Sequence, residues 1–219
     1  MTVNTATELI EDIGPGLDSP AAAIAAIARG EMVVVVDDED RENEGDLIMA
    51  AEHVTASAIN YMITKGKGLV CLALTAPRAL ELELPPMVSR NEDHMGTAFT
   101  VSIDADPSHG VHTGISAAER AKTIKLALTG EPQDFRRPGH VFPLIARPGG
   151  VLERRGHTEA AVDLARLAGC AAAGVIVEII GEDGEMLRLE SLKQFAHEQG
   201  LLITSIDLLQ RYRAKVEQL

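Results

Sequence analysis

The sequence predicts a layered α/β fold with a mixed sheet of about seven strands. Two observations support this prediction. Short runs rich in Val, Ile and Leu alternate along the chain with Ala-rich stretches, and clear helix start and stop signals separate the two. About seven such strands, interleaved with helices, indicate a layered arrangement with a mixed sheet.

In the first half, the predicted elements start with a helix that Ser19 and Pro20 open and Gly30 ends. The second helix is opened by Thr55 and continues to Lys65, with Gly66 closing it, and a third, short helix starts at Pro77. Buried strands are predicted at 32–36, 47–51 and 69–75.

In the second half, Ser116 and Glu119 form a capping box that opens a helix ending at Gly130. Further helices are expected at 158–168, from Ser191 to Gly200, and at 206–217, with strands at 98–103, 141–146, 174–180 and 201–205 and a turn at 181–185. Long polar loops are left at 37–46, 85–97, 104–115 and 131–140, and loops of this size in a compact domain are often functional.

The domain organisation is expected to be simple. The sequence contains no Pro/Gly/Ser-rich linker, no shift in composition and no internal repeat, so residues 1–219 are predicted to form one domain. Residues 1–17 are predicted to be a loosely ordered N-terminal extension.

The charge of the chain excludes several classes of function. With 20 basic and 33 acidic residues, the net charge of −13 argues against nucleic-acid binding and against adhesion to anionic lipid. No stretch is long and apolar enough to span a membrane, and the N-terminus does not resemble a secretory signal. Two cysteines without metal-site spacing predict a reducing, cytoplasmic location.

The acidic loop, residues 37–46, contains seven carboxylates and one arginine, Arg41, so its local charge is 1 − 7 = −6. A single arginine cannot neutralise this loop, whereas a divalent cation could. An EF-hand is rejected because position 12 of such a loop would be Ala51 and because strands flank the segment.

The segment from Arg154 to Thr158 indicates an anion site. Arg154 and Arg155 precede Gly156 at the start of a predicted helix, where free N–H groups and guanidinium groups favour phosphate. His157 in the same turn could coordinate a metal. Taken alone, an N-capping Thr158 beside two surface arginines would be the more ordinary interpretation.

Two further residues have the chemistry of acid–base catalysts. His140 lies between a glycine and a predicted buried strand, where it could act as a general base. Glu178 interrupts the apolar run 174–180, where a carboxylate requires a partner or a function. Together with the two preceding segments, they indicate a metal-dependent enzyme that acts on a small anionic substrate. Oxygen-rich ligation with one histidine suits Mg²⁺ or Mn²⁺ better than Zn²⁺.

The motifs DEDRENEGD, GTAFTVSIDA, TGISAAER, RPGHVFPL and GGVLERRGHTEAAVDL resemble those of the 3,4-dihydroxy-2-butanone 4-phosphate synthase family, in the same order and over about residues 19–212. The resemblance implies a three-layer sandwich with helices on both faces of the sheet. It also implies a homodimer with active sites near the interface. The implied reaction converts D-ribulose 5-phosphate to L-3,4-dihydroxybutan-2-one 4-phosphate and formate, which supplies a four-carbon unit for riboflavin.

Matching positions assign roles to individual residues. The resemblance implies that Glu42 and His157 bind the metal and that His140 and Glu178 are essential to the chemistry. Residues implied to contact the substrate are Arg41, Glu42, Asp46, Arg154 and Thr158, and, with a less specific match, Glu44, Thr113 and Cys71.

Two features of this chain differ from some relatives. Arg155 stands where many relatives have a second glycine, which leaves the backbone of this turn less free. Some relatives add a GTP cyclohydrolase II domain with a cysteine cluster, and this sequence, with two cysteines and its end at Leu219, is expected to be monofunctional.

Other readings of the same residues remain open. They are a different metal-dependent sugar-phosphate isomerase or aldolase, and a non-catalytic acidic module that binds cations. Release of formate distinguishes the synthase from both.

Overall fold

The computed structural model describes residues 13–217. Most of the N-terminal extension, residues 1–12, therefore lies outside the described residues. Ile13 and Leu17, which follow it, pack against Leu208 and Tyr212 of the last helix. No helix within residues 13–217 has the length and apolar character needed to cross a membrane.

Seven strands form a single mixed sheet, which confirms the prediction. The strands are β1 (Val33–Val36), β2 (Gly45–Ala50), β3 (Cys71–Thr75), β4 (Ile103–Ala105), β5 (Phe135–Ala146), β6 (Ala173–Glu178) and β7 (Leu202–Ser205). Their order across the sheet is β4-β5-β3-β6-β2-β1-β7. Only β3–β5 and β1–β7 pair in parallel, and the other four pairs are antiparallel.

Helices cover both faces of the sheet, so the expected three layers are present. The helices are α1 (Pro20–Ala28), α2 (Ala56–Tyr61), α3 (Ala76–Glu81), α4 (Ala117–Leu126), α5 (His157–Leu167), α6 (Leu189–Gln199) and α7 (Ile206–Val216). Helices α1, α5 and α7 pack on one face through Ile27, Leu164 and Leu209. The other four pack on the opposite face, for example through Ile59 and Leu192.

The alternation of side chains in buried strands explains the two cores. Val33 and Val35 of β1 belong to the core under α1, α5 and α7, whereas Val34 and Val36 belong to the opposite core. Because both faces are covered, a strand made entirely of valine is stable there.

Helix starts were predicted with mixed success. Ser19 caps α1 as expected, and its Oγ accepts a hydrogen bond from the N–H of Ala22 at 3.2 Å. The prediction that Ser191 caps the sixth helix is wrong, because α6 begins two residues earlier, at Leu189, with Arg188 as its N-cap.

The helix predicted to run from Thr55 to Lys65 changes type along its length. It is α-helical to Tyr61 and continues as a π-helical turn over Met62–Gly66. Gly66 does not end it in a left-handed conformation; Lys67 does, with φ 73°. Gly66 instead packs closely on the sheet, because a Cβ there would lie 3.0 Å from the Val177 side chain.

Two strand boundaries also differ from the prediction. The segment 98–103 is not a continuous strand, since Phe99 and Thr100 form isolated bridges to two different segments and only Ile103–Ala105 is regular. The loop predicted at 131–140 is shorter, because β5 begins at Phe135 and pairs there with β4. The charged residues 136 and 137 do not match the apolar pattern of a buried strand, so the sequence predicted a loop. A strand can contain them because this segment is exposed.

Candidate active site

A cavity of about 160 Å³ lies on the α5 face of the sheet. Its floor comes from four neighbouring strands, β2, β6, β3 and β5, which contribute Asp46, Glu178, Ile176, Cys71 and Leu144. Asp46 pairs directly with Glu178 across β2 and β6, and Ile176 pairs with Cys71 across β6 and β3. The pleat therefore directs all of these side chains to one face.

Asp37, at the end of β1, folds the acidic loop over this floor. Its buried carboxylate accepts hydrogen bonds from the backbone N–H groups of Glu42 at 3.0 Å and Glu44 at 2.8 Å. It also accepts one from Nη1 of Arg41 at 2.8 Å. These bonds place Arg41, Glu42 and Glu44 in the wall of the cavity.

The acidic loop receives more positive charge than the sequence suggested. Arg41 contacts Glu42 at 2.6 Å, Arg188 donates to the carbonyl oxygens of Glu42 and Asn43, and Arg155 lies 3.1 Å from Asp38. The premise that a single arginine faces the loop is therefore wrong, because two more arrive from distant positions in the chain.

Arg155 has a different position from the one its neighbours suggest. It pairs with Asp38 and with Asp207 of α7, at 3.1 Å and 2.8 Å, and it does not line the cavity. Arg155 thus links the acidic loop to α7 rather than adding a cation beside a phosphate.

His157, the first residue of α5, is buried in the cavity wall. Its Nε2 lies 3.1 Å from the carbonyl oxygen of Val35, so Nε2 donates its proton there. Nδ1 faces the carboxylates of Glu42 at 3.7 Å and Asp46 at 4.0 Å. An imidazole held through one nitrogen by a carbonyl, with the other free, is the usual arrangement of a metal ligand.

The pKa values show that this cluster lacks positive charge. Burial favours neutral His157, but the carboxylates of Asp46, Glu42 and Asp37 outweigh it and raise its pKa to about 9. Interaction with His157 lowers the pKa of Glu42 to about 2, against its burial. Burial raises the pKa of Asp46 to about 7; His157 opposes this shift, and Glu178, the facing carboxylate, adds to it. A divalent cation would supply the missing charge.

The residues present fit such a cation. Asp37, Glu42 and His157 each offer one ligand atom, and these atoms lie within 4.8 Å of one another. Two carboxylates and one imidazole suit Mg²⁺ or Mn²⁺. Since both oxygens of Asp37 already accept hydrogen bonds within the loop, Glu42 and His157 are the freer ligands.

Arg154 and Thr158 also line the cavity, at the N-terminus of α5. Nη1 of Arg154 donates to the buried carboxylate of Glu159 at 2.7 Å, and Nη2 donates to the carbonyl of Met95 at 3.1 Å. Gly156 allows this arrangement, because a Cβ there would collide with the Arg154 guanidinium. A fixed guanidinium beside the first turn of a helix is suited to an anionic group.

Glu178 is held by the strand next to it. Its Oε2 accepts the backbone N–H of Leu69 at 2.8 Å, just before β3. Gly68 permits this approach, since a Cβ there would collide with the Glu178 carboxylate. The remaining carboxylate oxygen is left for contact with a ligand.

His140 and Thr113 do not line this cavity. His140 precedes Leu144 by four residues of β5, which corresponds to about 13 Å of extended chain. Its Nδ1 lies 2.7 Å from Oδ2 of Asp104, and its N–H donates to Oδ1 of the same carboxylate at 2.9 Å. The ring is therefore fixed, with Nε2 directed away from Asp104, and it is 44% exposed.

The residue after Thr113 lies against the same carboxylate. The hydroxyl of Thr113 donates to Glu119 at 3.3 Å, and the next residue, Gly114, has φ 85° and packs so closely on Asp104 that a Cβ would collide. His140 and Thr113 thus belong to one exposed patch, separate from the cavity that contains the other nine sequence-predicted residues.

Several contributors were missed by sequence reasoning. Asp37 belongs to the acidic loop, but the sequence analysis gave it no separate role. Thr97 and Phe99 line the cavity, and the motif GTAFTVSIDA that contains them was not assigned a site residue. Asp104 and Arg188 act through contacts with distant segments, those of His140 and of the acidic loop. No local pattern marks such residues.

Comparison with known proteins identifies related chains. A family model described as 3,4-dihydroxy-2-butanone 4-phosphate synthase matches residues 21–212. A riboflavin biosynthesis protein RibBA of Aquifex aeolicus is 60% identical over 199 residues, which are 90% of this chain and 49% of that protein. A 3,4-dihydroxy-2-butanone 4-phosphate synthase of Agrobacterium fabrum is 55% identical over 87% of this chain and 89% of its own length.

Solved structures agree in fold. RibBX of A. baumannii, a two-domain 3,4-dihydroxy-2-butanone 4-phosphate synthase, has a TM-score of 0.85 at 50% identity, over 90% of this chain and 58% of that one. A synthase in complex with two magnesium ions has a TM-score of 0.84 at 45% identity, over 92% and 98%. The chain thus spans about half of some relatives and nearly all of others.

Proposed function

The chain belongs to the 3,4-dihydroxy-2-butanone 4-phosphate synthase family, and from this membership we propose that it converts D-ribulose 5-phosphate to L-3,4-dihydroxybutan-2-one 4-phosphate and formate in riboflavin biosynthesis. The observation that carries the proposal is the single cavity in which an acidic cation site faces a fixed arginine at a helix start. A phosphorylated ketose has carbonyl and hydroxyl oxygens that can bind the cation and a phosphate that can bind the arginine.

The proposed metal is Mg²⁺ or Mn²⁺, held by Glu42 and His157. The related synthase in complex with two magnesium ions supports magnesium, and the donor set of this chain supports either ion. When bound, the cation supplies Lewis acidity toward the carbonyl and hydroxyl oxygens of the sugar.

The substrate would lie in the cavity between the acidic loop and the first turn of α5. Arg154 and Thr158 would hold the phosphate, because Arg154 is the cation directed at the helix start. Arg41, Glu42, Glu44, Asp46 and Cys71 would contact the sugar end of the substrate. Opposite charges at the two ends of the cavity would fix the orientation of the substrate.

The reaction requires proton transfers at several carbons, so it needs more than one acid–base group. Glu178 is placed for this role at the floor of the cavity, with one oxygen anchored by Leu69 and beside Asp46. His140 is the second group, with Nδ1 held by Asp104 and Nε2 available to give or take a proton.

A homodimer would bring the two groups together. In one chain His140 and Thr113 lie outside the cavity, on a partly exposed patch next to Ile115, which is 54% exposed. We propose that each chain presents this patch to the cavity of a partner copy. A site near the interface then contains both Glu178 and His140.

The location is proposed to be cytoplasmic, because both cysteines are free thiols and Cys71 is buried in the cavity floor. The absence of nucleic-acid and membrane partners stays a prediction based on charge.

Formate release tests the activity. Incubation of the protein with ribulose 5-phosphate and Mg²⁺ is expected to yield formate and one equivalent of a four-carbon ketone phosphate. Excess EDTA is expected to abolish the reaction, and added Mg²⁺ to restore it. A product without formate would instead indicate an isomerase or aldolase, and an unchanged substrate would indicate a cation-binding module.

A further inference from the structure

A second cavity, of about 480 Å³, lies on the same face of the sheet and shares no lining residue with the first. It opens where the parallel strands β3 and β5 end, at Thr75 and Ala146, which pair with each other. The crevice outside the carboxyl ends of parallel strands is a common place for ligands in α/β proteins.

Three arginines line this second cavity, in a protein whose net charge is −13. Arg213 is fully engaged, with Asp163 at 2.7 Å, Glu217 at 2.7 Å and the carbonyl of Gly149 at 2.8 Å. Arg166 contacts Glu217 at 2.8 Å and Asp163 at 3.7 Å, both through Nη2. The carboxylates of Asp163 and Glu217 therefore balance the charges of Arg213 and Arg166.

Arg147 is the third, and its guanidinium makes no hydrogen bond or ion pair with any residue from 13 to 217. Its backbone is fixed, since its N–H donates to Oε1 of Glu159 at 3.0 Å. The other oxygen of Glu159 holds Arg154, so the backbone of Arg147 is tied to the first cavity while its side chain lines the second.

The remaining walls are largely apolar, with Pro77, Ala146 and Val162 among them. A volume of this size accommodates a small organic molecule. A ligand that fits has a compact anionic end for the arginines and an apolar body for these walls. Phosphate is the matching anionic end, because its several oxygens can accept from two guanidinium groups at once.

We propose that this cavity is a second ligand site, which binds a small monophosphate ester with an apolar body through Arg147 and Arg166. The site is separate from the cavity between the acidic loop and α5, and the proposal does not depend on the activity of that cavity.

Phenyl phosphate is a suitable probe, because it combines one phosphate with one apolar ring. A titration of the full-length, ¹⁵N-labelled protein, followed by amide NMR, gives the affinity and the location together. Saturable shifts are expected at Arg147, Val162 and Ala172, and not at His157 or Thr158. Inorganic phosphate lacks the apolar ring and phenol lacks the phosphate, so each is expected to bind at least about tenfold more weakly than phenyl phosphate.

Arg147→Gln is the test variant, because this exposed side chain can be shortened while the backbone bond to Glu159 stays. It is expected to weaken phenyl phosphate binding at least about tenfold. Arg29→Gln is the matched control, since Arg29 is also exposed and does not line the cavity, and it is expected to have no effect.

Three results would overturn the proposal. They are shifts centred on His157 and Thr158, equal loss of binding in both variants, and unchanged binding in Arg147→Gln. Binding of inorganic phosphate as tight as that of phenyl phosphate would refute the apolar part of the ligand.

Discussion

Adjacent arginines at the start of α5 differ in what they contact. Arg154 points into the cavity and is fixed by Glu159, whereas Arg155 points outward to Asp38 and Asp207. Sequence position alone makes the two equivalent. Their partners keep Arg154 in the cavity wall, where we propose that it binds the phosphate, and make Arg155 a link between the acidic loop and α7.

Conservative substitution should separate these roles. Arg154→Lys keeps the charge opposite Glu159 but loses the planar fork, so the KM for ribulose 5-phosphate is expected to rise about tenfold or more. Arg155→Lys, as the matched control, should change KM less than about twofold. Steady-state formate assays on both variants measure the difference, and equal KM values would contradict the assignment of Arg154.

Asp104 controls the only sequence-predicted catalytic group outside the cavity. It accepts from both Nδ1 and the backbone N–H of His140, so it sets the tautomer and the orientation of the ring. Asp104→Asn is expected to lower kcat roughly a hundredfold with little change in KM. Asp106→Asn, two residues further on and paired with Arg136 at the surface, should leave kcat unchanged. Retention of kcat in Asp104→Asn would show that this orientation is not needed.

At the scale of elements, the acidic loop depends on groups from elsewhere in the chain. Arg188, the N-cap of α6, donates to the carbonyls of Glu42 and Asn43 at 2.9 Å and 2.6 Å. Asn43 has φ 55°, a left-handed conformation that non-glycine residues adopt only with support. Arg188 thus stabilises the part of the loop that presents Glu42.

Removal of this support should weaken metal binding. Arg188→Gln is expected to lower the affinity for Mg²⁺ about tenfold in calorimetric titrations, since Glu42 would no longer be held toward His157. Lys193→Gln is the control, because Lys193 lies on the same helix and its Nζ donates to Glu190, outside the acidic loop. An Mg²⁺ affinity equal to that of the control would rule out this role for Arg188.

Local signals identified most elements, and they failed where the partner lies far away in the sequence. The apolar strands and the caps at Ser19 and Ser116 follow from neighbouring residues, and the structure has them. The start of β5 at Phe135 depends on pairing with β4, and the start of α6 depends on contacts of Arg188 with the acidic loop. Neither β4 nor the acidic loop is near enough in sequence for a local pattern to predict the contact.

At the scale of the whole molecule, the separation of His140 from Glu178 has a direct consequence. If each active site takes His140 from a partner copy, Glu178→Gln and His140→Gln chains, both inactive alone, should complement each other. A mixed dimer would have one site with both residues intact. The purified mixed dimer is therefore expected to have about half of the parent activity, and an unfractionated statistical mixture of all dimers about a quarter.

Coexpression of differently tagged chains, with purification through both tags, measures this complementation by formate release. Each variant mixed with itself is the control. Mixed dimers that remain inactive would show that His140 acts within its own chain.

The sequence by itself determined the family, the layered α/β class and nine of the residues that meet in the cavity. It could do so because these features depend on short stretches of sequence, namely apolar runs, helix caps and motifs of a few residues. Only the tertiary structure decided how the charges are balanced, since Arg188 reaches Glu42, Arg155 reaches Asp38 and Asp104 reaches His140 only through folding. Only the structure also showed that Arg154 and Arg155 have different contacts, and that His140 lies outside the cavity that contains Glu178. Hydrogen bonds and ion pairs act over a few ångströms of space, whatever the distance along the chain.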